Sequence, residues 1–197
     1  MTLLELDSKF KLTTDFKKRV LNNKITLYYL DTIVKVEEVE THIIQPILGL
    51  LQERKPLTFE RIETIISSLS YKEPSSFEEI VSGIIEGNTL ISIAGKELGL
   101  IVSTSDWEER SVEAVNGERS LKGPIIGFTE KINTNINIIR SIVKTSNLIV
   151  EKKSYGSVSK TDIAIMYICD MVNNHVLEKV RERISNMKVN YILESRM

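Results

Sequence analysis

The stretch Ile163-Ala-Ile-Met-Tyr-Ile-Cys169 is the longest uninterrupted apolar run in the chain. From Asp162 to Cys169 both alternating sets of side chains are apolar, the pattern of a buried central strand covered on both faces. A chain that holds such a strand needs a layer on each side of it, so helices and sheet must be stacked. Cys169 is the only cysteine and reads as a small buried hydrophobe at the end of this run. No intrachain disulfide can form, and a reducing compartment fits.

The periodicity elsewhere supplies the layers. Asp15 to Leu21 reads as a short helix with Asp15 as its cap, and Ile25 to Tyr29, β-branched and aromatic, as a strand. Val36, Val39, Ile43, Ile44, Ile47 and Leu51 then share one helical face, with a kink or break expected at Pro46. Lys55-Pro56 ends that unit. Phe59, Ile62, Ile65, Ile66 and Leu69 mark a second helix capped by Thr58. A third carries Phe77, Ile80, Val81, Ile84 and Ile85 inward, with Ser75 and Glu78 at capping-box spacing and Gly87-Asn88 as its stop.

Strand-like spacing follows. Thr89 to Ala94 and Leu98 to Thr104 flank Gly95-Lys96-Glu97, which predicts a hairpin. Gly123-Pro124-Ile-Ile-Gly127 leads into a helix with Phe128, Ile132, Ile136, Ile139 and Val143 at helical spacing. Asn147 to Lys153 is a strand, and Asn173 or Asn174 caps a last helix with Val176, Leu177, Val180 and Ile184 inward. Val189 to Leu193 is a short apolar tail. The order predicts an α/β or α+β layered fold: two small α/β subdomains with mixed sheets packed with helices. Residues 1–110 form a helix-rich subdomain ending in the hairpin, and 111–197 a second subdomain, because the stretch between them is polar and irregular.

The 197 residues carry 26 basic and 27 acidic side chains, so the electrostatic footprint of a nucleic-acid binder is absent. The N-terminus lacks the basic start and apolar core of a signal peptide. No stretch approaches the ~20 apolar residues of a membrane helix, and the chain by itself is expected to be soluble. Only His42 and His175 are present, far apart, so no histidine–cysteine metal spacing exists and no metal or cofactor is expected. Neither a Gly-x-Ser-x-Gly elbow nor a phosphate loop occurs. A Cys169–His175 nucleophile pair would need an exposed thiolate in an electropositive setting, against the apolar setting of Cys169. Glu78-Glu79 and Glu108-Glu109 read as solvated faces. Gly123-Pro124 before a helix is, on spacing alone, a tight turn and not an anion site.

Longer-range order appears from Arg110 onward. Arg110-Ser-Val-Glu113-Ala-Val-Asn-Gly-Glu118 is followed by Leu121-Lys122-Gly123-Pro124-Ile-Ile-Gly127-Phe128-Thr129-Glu130, then by Asn135-Ile-Asn-Ile-Ile-Arg140. These segments resemble the Arg-x-Val-x-Glu-Pro-x-x-Glu, Arg-Gly-Pro-Arg-Glu-Gly-Phe-Thr-Glu and Asn-x-x-x-x-Arg regions of the A subunits of spore germinant receptors, the GerA family. Leu148, Glu151, Gly156, Ser159, Thr161, Tyr167, Val180, Arg181, Arg183, Ile184, Ile192, Leu193 and Ser195 fall at that family's intervals. Tyr28-Tyr29-Leu-Asp31-Thr-Ile-Val34 and the Gly87-Asn-Thr-Leu hairpin resemble it more loosely. The chain departs at Ala114, where the family has Pro, at Lys122 for Arg, at Ile125-Ile126 for a charged pair and at Thr32 for Gly.

The resemblance implies the soluble N-terminal domain of a receptor A subunit, not an enzyme. Membrane helices would follow Met197, and the full-length protein would sit in the spore inner membrane with this domain on the core side. It implies receptor B and C subunits and other A subunits as partners, and a nutrient as a further ligand. The expected role is assembly and transmission of a signal to an ion-conducting part. Arg110, Glu113, Glu118, Lys122, Glu130 and Arg140 are the candidates for a polar network, with Gly123, Pro124, Gly127, Phe128 and Asn135 as further binding or interface residues. A second reading places a nutrient directly in a cleft between the subdomains near Gly123 to Phe128. No constellation supports a hydrolase.

Overall fold

The structure is a computed structural model that describes residues 3–53, 55–66, 69–96, 98–106, 127–156, 158 and 160–187. Its elements in order are α1 (Leu3–Lys9), β1 (Phe16–Leu21), β2 (Ile25–Leu30), α2 (Val36–Glu38), a π-helical segment (Val39–Ile44), α3 (Gln45–Gln52), α4 (Phe59–Ile65), β3 (Tyr71–Lys72), α5 (Phe77–Ile85), β4 (Thr89–Ile93), β5 (Leu100–Val102), α6 (Ile132–Ile142), β6 (Leu148–Tyr155), β7 (Thr161–Ile168) and α7 (Asn174–Ser185). Among the described residues there are two sheets, one of five strands in the order β1-β2-β4-β5-β3 and one of β6 with β7. Every pairing is antiparallel. The layered helix–sheet architecture therefore takes its α+β form.

The five-stranded sheet is the middle of a sandwich. Leu27, Tyr29, Ile91, Leu100 and Val102 face the π segment, α3 and α4, where Ile43, Ile47 and Ile62 are fully buried. Tyr28, Leu30, Leu90 and Ile101 point the other way, onto Leu6 of α1, Phe10 just after it, and Ile80 and Ile84 of α5. The period of two along a strand sends alternate residues to opposite cores, which is why β2 is apolar on both faces from Leu27 to Leu30. Thr58 caps α4 by accepting the Arg61 N–H. Gly87 ends α5 at φ +85°, where an added Cβ would lie 2.8 Å from the Ile33 carbonyl oxygen. The 89–102 hairpin forms as expected.

Several expectations are corrected. Residues 16–21 are strand and not helix: Asn22 and Asn23 adopt φ of +49° and +53°, and the left-handed turn they make folds the segment back to pair with β2 from Phe16↔Leu30 to Leu21↔Ile25. Pro46 does not break its helix. The Gln45 N–H donates to Glu40 O, five residues back, and the widened π turn accommodates the proline ring at the start of α3. The α5 cap is Ser76, whose hydroxyl accepts the Glu79 N–H, while the Glu79 carboxylate accepts the Ser75 N–H. The capping residues are thus one position later than the spacing of Ser75 and Glu78 suggested.

In the second half, α6 begins at Ile132. Phe128 precedes it and is 69% exposed, so it is not part of the buried helical face. Among the described residues β7 pairs with β6 alone, and its side chains from Ile163 to Ile168 are half-buried, where full burial was expected. Cys169 is exposed just beyond it. Val176 is exposed as well, and of the inward residues expected on α7 only Leu177 is fully buried. The boundary at 110/111 lies outside the described residues.

Candidate functional site

The second half reaches the first through a buried polar joint. Asp15 lies at the entrance to β1, with Thr13 and Thr14 before it, and Thr32 follows β2. Because β1 and β2 form a hairpin, Asp15 and Thr32 come side by side, and the Asp31 N–H donates to the Asp15 carbonyl. The Asp15 carboxylate is 3% exposed and accepts from both threonine hydroxyls, Thr13 at 2.7 Å and Thr32 at 2.8 Å. Arg140 of α6 completes the cluster. Its Nε and terminal nitrogen form a two-pronged pair with Asp15 at 2.6 and 2.8 Å, and the same nitrogen reaches the Thr13 hydroxyl at 3.1 Å.

Asn137, one turn before Arg140 on the same helical face, donates to two backbone carbonyls of the first half, Thr32 at 3.0 Å and Asp106 at 2.8 Å. Buried Ile136 completes that face. The strand β6 joins the same anchor. Thr14 N–H donates to Val150 O at 2.8 Å, and Val150 N–H and Lys152 N–H donate to the Thr13 and Thr14 hydroxyls. Among the described residues no buried side-chain polar atom lacks a partner. A buried charge pair stabilises only when its remaining lone pairs and protons are satisfied in this way, and removal of one partner costs about 3–5 kcal/mol.

Two shallow grooves flank the joint. One, of about 300 Å³, has Lys17, Asp31, Asn133 and Lys152 on its walls. The other, of about 520 Å³, shares Asp31, Thr32 and Asn133 and is rimmed by Glu37, Glu38 and Asp106. Burial pushes the Asp31 carboxyl above its ordinary value, against the pull of Lys17 at 3.1 Å.

A second polar cluster ties α7 to its sheet. The Arg181 guanidinium grips the Glu151 carboxylate with two nitrogens, and the Tyr167 hydroxyl donates to the same carboxylate at 2.6 Å. Arg181 hydrogen bonds hold Glu151 below the ordinary carboxylate range. Burial, then the hydrogen bond to Glu151 and its charge, push the Tyr167 phenol up to about 12.

Of the sequence-predicted residues, Arg110, Glu113, Glu118, Lys122, Gly123 and Pro124 lie outside the described residues. Arg140 is the cationic centre of the joint. Asn135 clamps the turn ahead of α6: its amide oxygen accepts the Thr129 N–H and its amide nitrogen donates to the Thr129 carbonyl, both at 2.7 Å. That clamp leaves Phe128 and Glu130 exposed, with Gly127 half-buried. Sequence reasoning missed Thr13, Asp15, Thr32 and Asn137 as functional candidates. Asp15 was assigned to a helix cap, and nothing local marks it as the partner of a residue 125 positions away. Both histidines are exposed, and among the described residues no cluster of three or more His, Cys, Asp or Glu could hold a metal.

Comparison with known proteins gives a consistent result. Residues 5–197 match the family described as Bacillus/Clostridium GerA spore germination protein. The chain is 37% identical to spore germination protein KA of Bacillus subtilis (strain 168), over 88% of this chain and 30% of that protein. It is 30% identical to the uncharacterized membrane protein YfkQ of the same organism, over 86% of this chain and 33% of that one. The chain thus spans about a third of the length of these relatives. Its fold matches the crystal structure of the N-terminal domain of the A subunit of the Bacillus megaterium spore germinant receptor GerK3. The TM-score is 0.69 at 23% identity, over 94% of this chain and 70% of that one. No helix among the described residues is long and apolar enough to cross a membrane.

Proposed function

The chain belongs to the GerA spore germination family, and from that premise we propose that it is the N-terminal part of a germinant receptor A subunit, a receptor component and not an enzyme. Its role is to hold neighbouring subunits and to pass a conformational signal toward a membrane-embedded, ion-conducting part. The partners are receptor B and C subunits and further A subunits, in the inner membrane of the spore.

The buried Asp15–Arg140 pair carries this reading. A signal crosses a protein only through elements that move as one body or switch between two arrangements. The joint makes α6 and β6 follow the β1–β2 hairpin, because parting them exposes two charges to incomplete solvation. The presented Phe128 supports the assembly role. Asn135 fixes the backbone beside it, so an aromatic side chain is held outward at little further entropic cost, as at interface anchors.

Spores whose receptor carries Arg140→Met should germinate poorly with nutrient, and Arg140→Lys should recover part of the response by restoring the charge without the fork. Normal nutrient germination by Arg140→Met spores, with receptor levels unchanged, would overturn the signalling role.

A second reading has its own observation. The groove beside Lys17, Asp31 and Lys152 lies between the two halves and offers both signs of charge, as a zwitterionic nutrient requires. A thermal-shift series with amino-acid germinants tests it. Stabilisation that disappears in Lys17→Ala supports direct binding, and no shift with any germinant at saturating concentration sinks it.

A further inference from the structure

One helix of the first half has a winding that its own apolar pattern does not demand. α2, the π-helical segment and α3 are continuous, since Val39 and Ile44 at the two junctions both keep helical backbone angles. At the turn of about 100° per residue of an ordinary helix, Val36, Val39, Ile43, Ile47 and Leu50 share a stripe about 80° wide. The structure buries the last four and leaves Val36 49% exposed, while Ile44, outside that stripe, is buried. The π turn is the reason. It holds more residues per turn and so sets α2 out of phase with α3. One apolar sequence therefore fits two windings, one that buries Ile44 and one that buries Val36.

Two features hold the π winding. Pro46 cannot follow an ordinary helical turn without its ring meeting the His42 carbonyl. The second is a clamp on the π turn itself. The Gln45 N–H donates to the Glu40 carbonyl, and the Gln45 side-chain amide reaches the Glu40 carboxylate at 3.4 Å. Residues five apart stand about 140° apart round an ordinary helix, so that side-chain contact is a product of the wider turn. The same carboxylate takes the Arg19 guanidinium of β1 at 2.6 Å. Arg19 lies on the arm of the hairpin that begins beside Asp15, the anion of the joint. At the other end, the Lys35 N–H donates to Thr104 O at 2.8 Å, and Val36, Glu37 and Glu38 line the groove they share with Asn133 and Asn137 of α6. Both ends of the π turn are thus tied to the joint.

We propose that residues 36–52 are a two-state helix, π-wound in this structure and α-helical throughout in a minor form, with the Arg19–Glu40 pair as the latch that sets the balance. Taking the extra residue into α-helical turns rotates α2 by about 100° against α3, which carries Val36 into the core and turns Glu37 and Glu38 on the rim of the groove. The inference rests on the reading of the domain as a transmitter, a role that requires an element with two arrangements. The latch is half exposed at both partners, and a pair of that kind shifts an equilibrium by no more than about fivefold. Pro46 weighs more, about a hundredfold toward the π form. A displacement of β1 at the joint therefore tunes a helix that the proline keeps biased.

Scalar couplings across backbone hydrogen bonds read the winding directly in the full 197-residue protein. The Gln45 nitrogen should couple to the Glu40 carbonyl carbon in the unaltered chain and to that of Thr41 in Pro46→Ala. A Val36→Cys thiol, placed in a Cys169→Ser background, should react with a thiol reagent about tenfold more slowly once Pro46→Ala is added. Glu40→Ala releases Arg19 and Gln45 and leaves Pro46 in place. It should raise the α-helical population about fivefold, moving the amide shifts of His42, Ile43 and Ile44 along the line toward their Pro46→Ala values. A Gln45–Glu40 coupling that persists in Pro46→Ala overturns the two-state helix, as does a thiol at position 36 that reacts as before. Amide shifts in Glu40→Ala that stay in place or leave that line overturn the latch. These readouts are structural, whereas the signalling role stands or falls on germination of Arg140→Met spores, so either can fail alone.

Discussion

The two halves of this chain are held by different physics. Around the five-stranded sheet, two apolar clusters bury both faces, and polar groups play a minor part. Around β6 and β7, among the described residues, the fully buried apolar side chains are few, among them Ile136, Leu148, Ile149, Val150 and Leu177. There the arginines do much of the holding: Arg140 into the first half, Arg181 onto the sheet. Apolar burial is non-directional and tolerates small displacements, whereas a forked arginine–carboxylate pair fixes one geometry. The first half is built to be stable, and the second to be oriented.

The sharpest way to break this contrast is at the joint. Arg140→Met leaves Asp15 charged, buried and short of two donors, and should destabilise the protein by about 3–5 kcal/mol in urea unfolding. Hydrogen exchange should locate the loss: β6 amides at Val150 and Lys152 should lose protection while β4 retains it. A uniform loss across both sheets would mean that the two halves form a single cooperative unit. Next in size is a core truncation. Leu27→Ala removes a fully buried side chain from β2, an inner strand of the five-stranded sheet, and should cost about 2–5 kcal/mol. Because β6 is anchored on the β1–β2 hairpin, both halves should unfold together in that variant.

A smaller effect separates the second half on its own terms. The folded protein holds Glu151 below its ordinary value of 4.5, chiefly through Arg181. A lowered carboxylate contributes stability that is complete above the ordinary value and is lost as pH falls through the folded one. Acid should therefore loosen β6–β7 and α7 from about pH 4.5 downward. Arg181→Gln should flatten that dependence and cost about 1 kcal/mol at neutral pH, the pair being partly solvent-exposed. The smallest effect on folding is expected at Phe128. Phe128→Ala should change stability by less than about 0.5 kcal/mol, since its ring is 69% exposed. Its measurable consequence should be weaker co-purification with receptor subunits, and unimpaired assembly would remove Phe128 from the interface.

Much of the fold was legible in the residues. Thr58, Gly87 and Asn173 act where their chemistry predicts, because capping and left-handed turns are local events. The segment 16–21 was misread because Asp15 satisfies a local cap rule, while the decisive signal was the Asn22-Asn23 turn beyond it. The candidate site was legible only in part. Asn135, Arg140, Glu151, Tyr167 and Arg181 stood out through the family's spacing, and the structure gathers them into three separate clusters. Their partners Thr13, Asp15, Thr32 and Asn137 did not stand out, since each obeys an unremarkable local rule.

The sequence by itself determined the alternation of layers, the helix ends and the membership of a family, all of which depend on neighbours within a few positions or on the spacing of whole motifs. Only the tertiary structure decided that Asp15 meets Arg140 and that the apolar run at Ile163–Ile168 pairs antiparallel with β6. A buried charge pair and a strand pairing are set by which distant strands come to lie side by side. That choice follows from the summed burial of both apolar cores and from no residue alone.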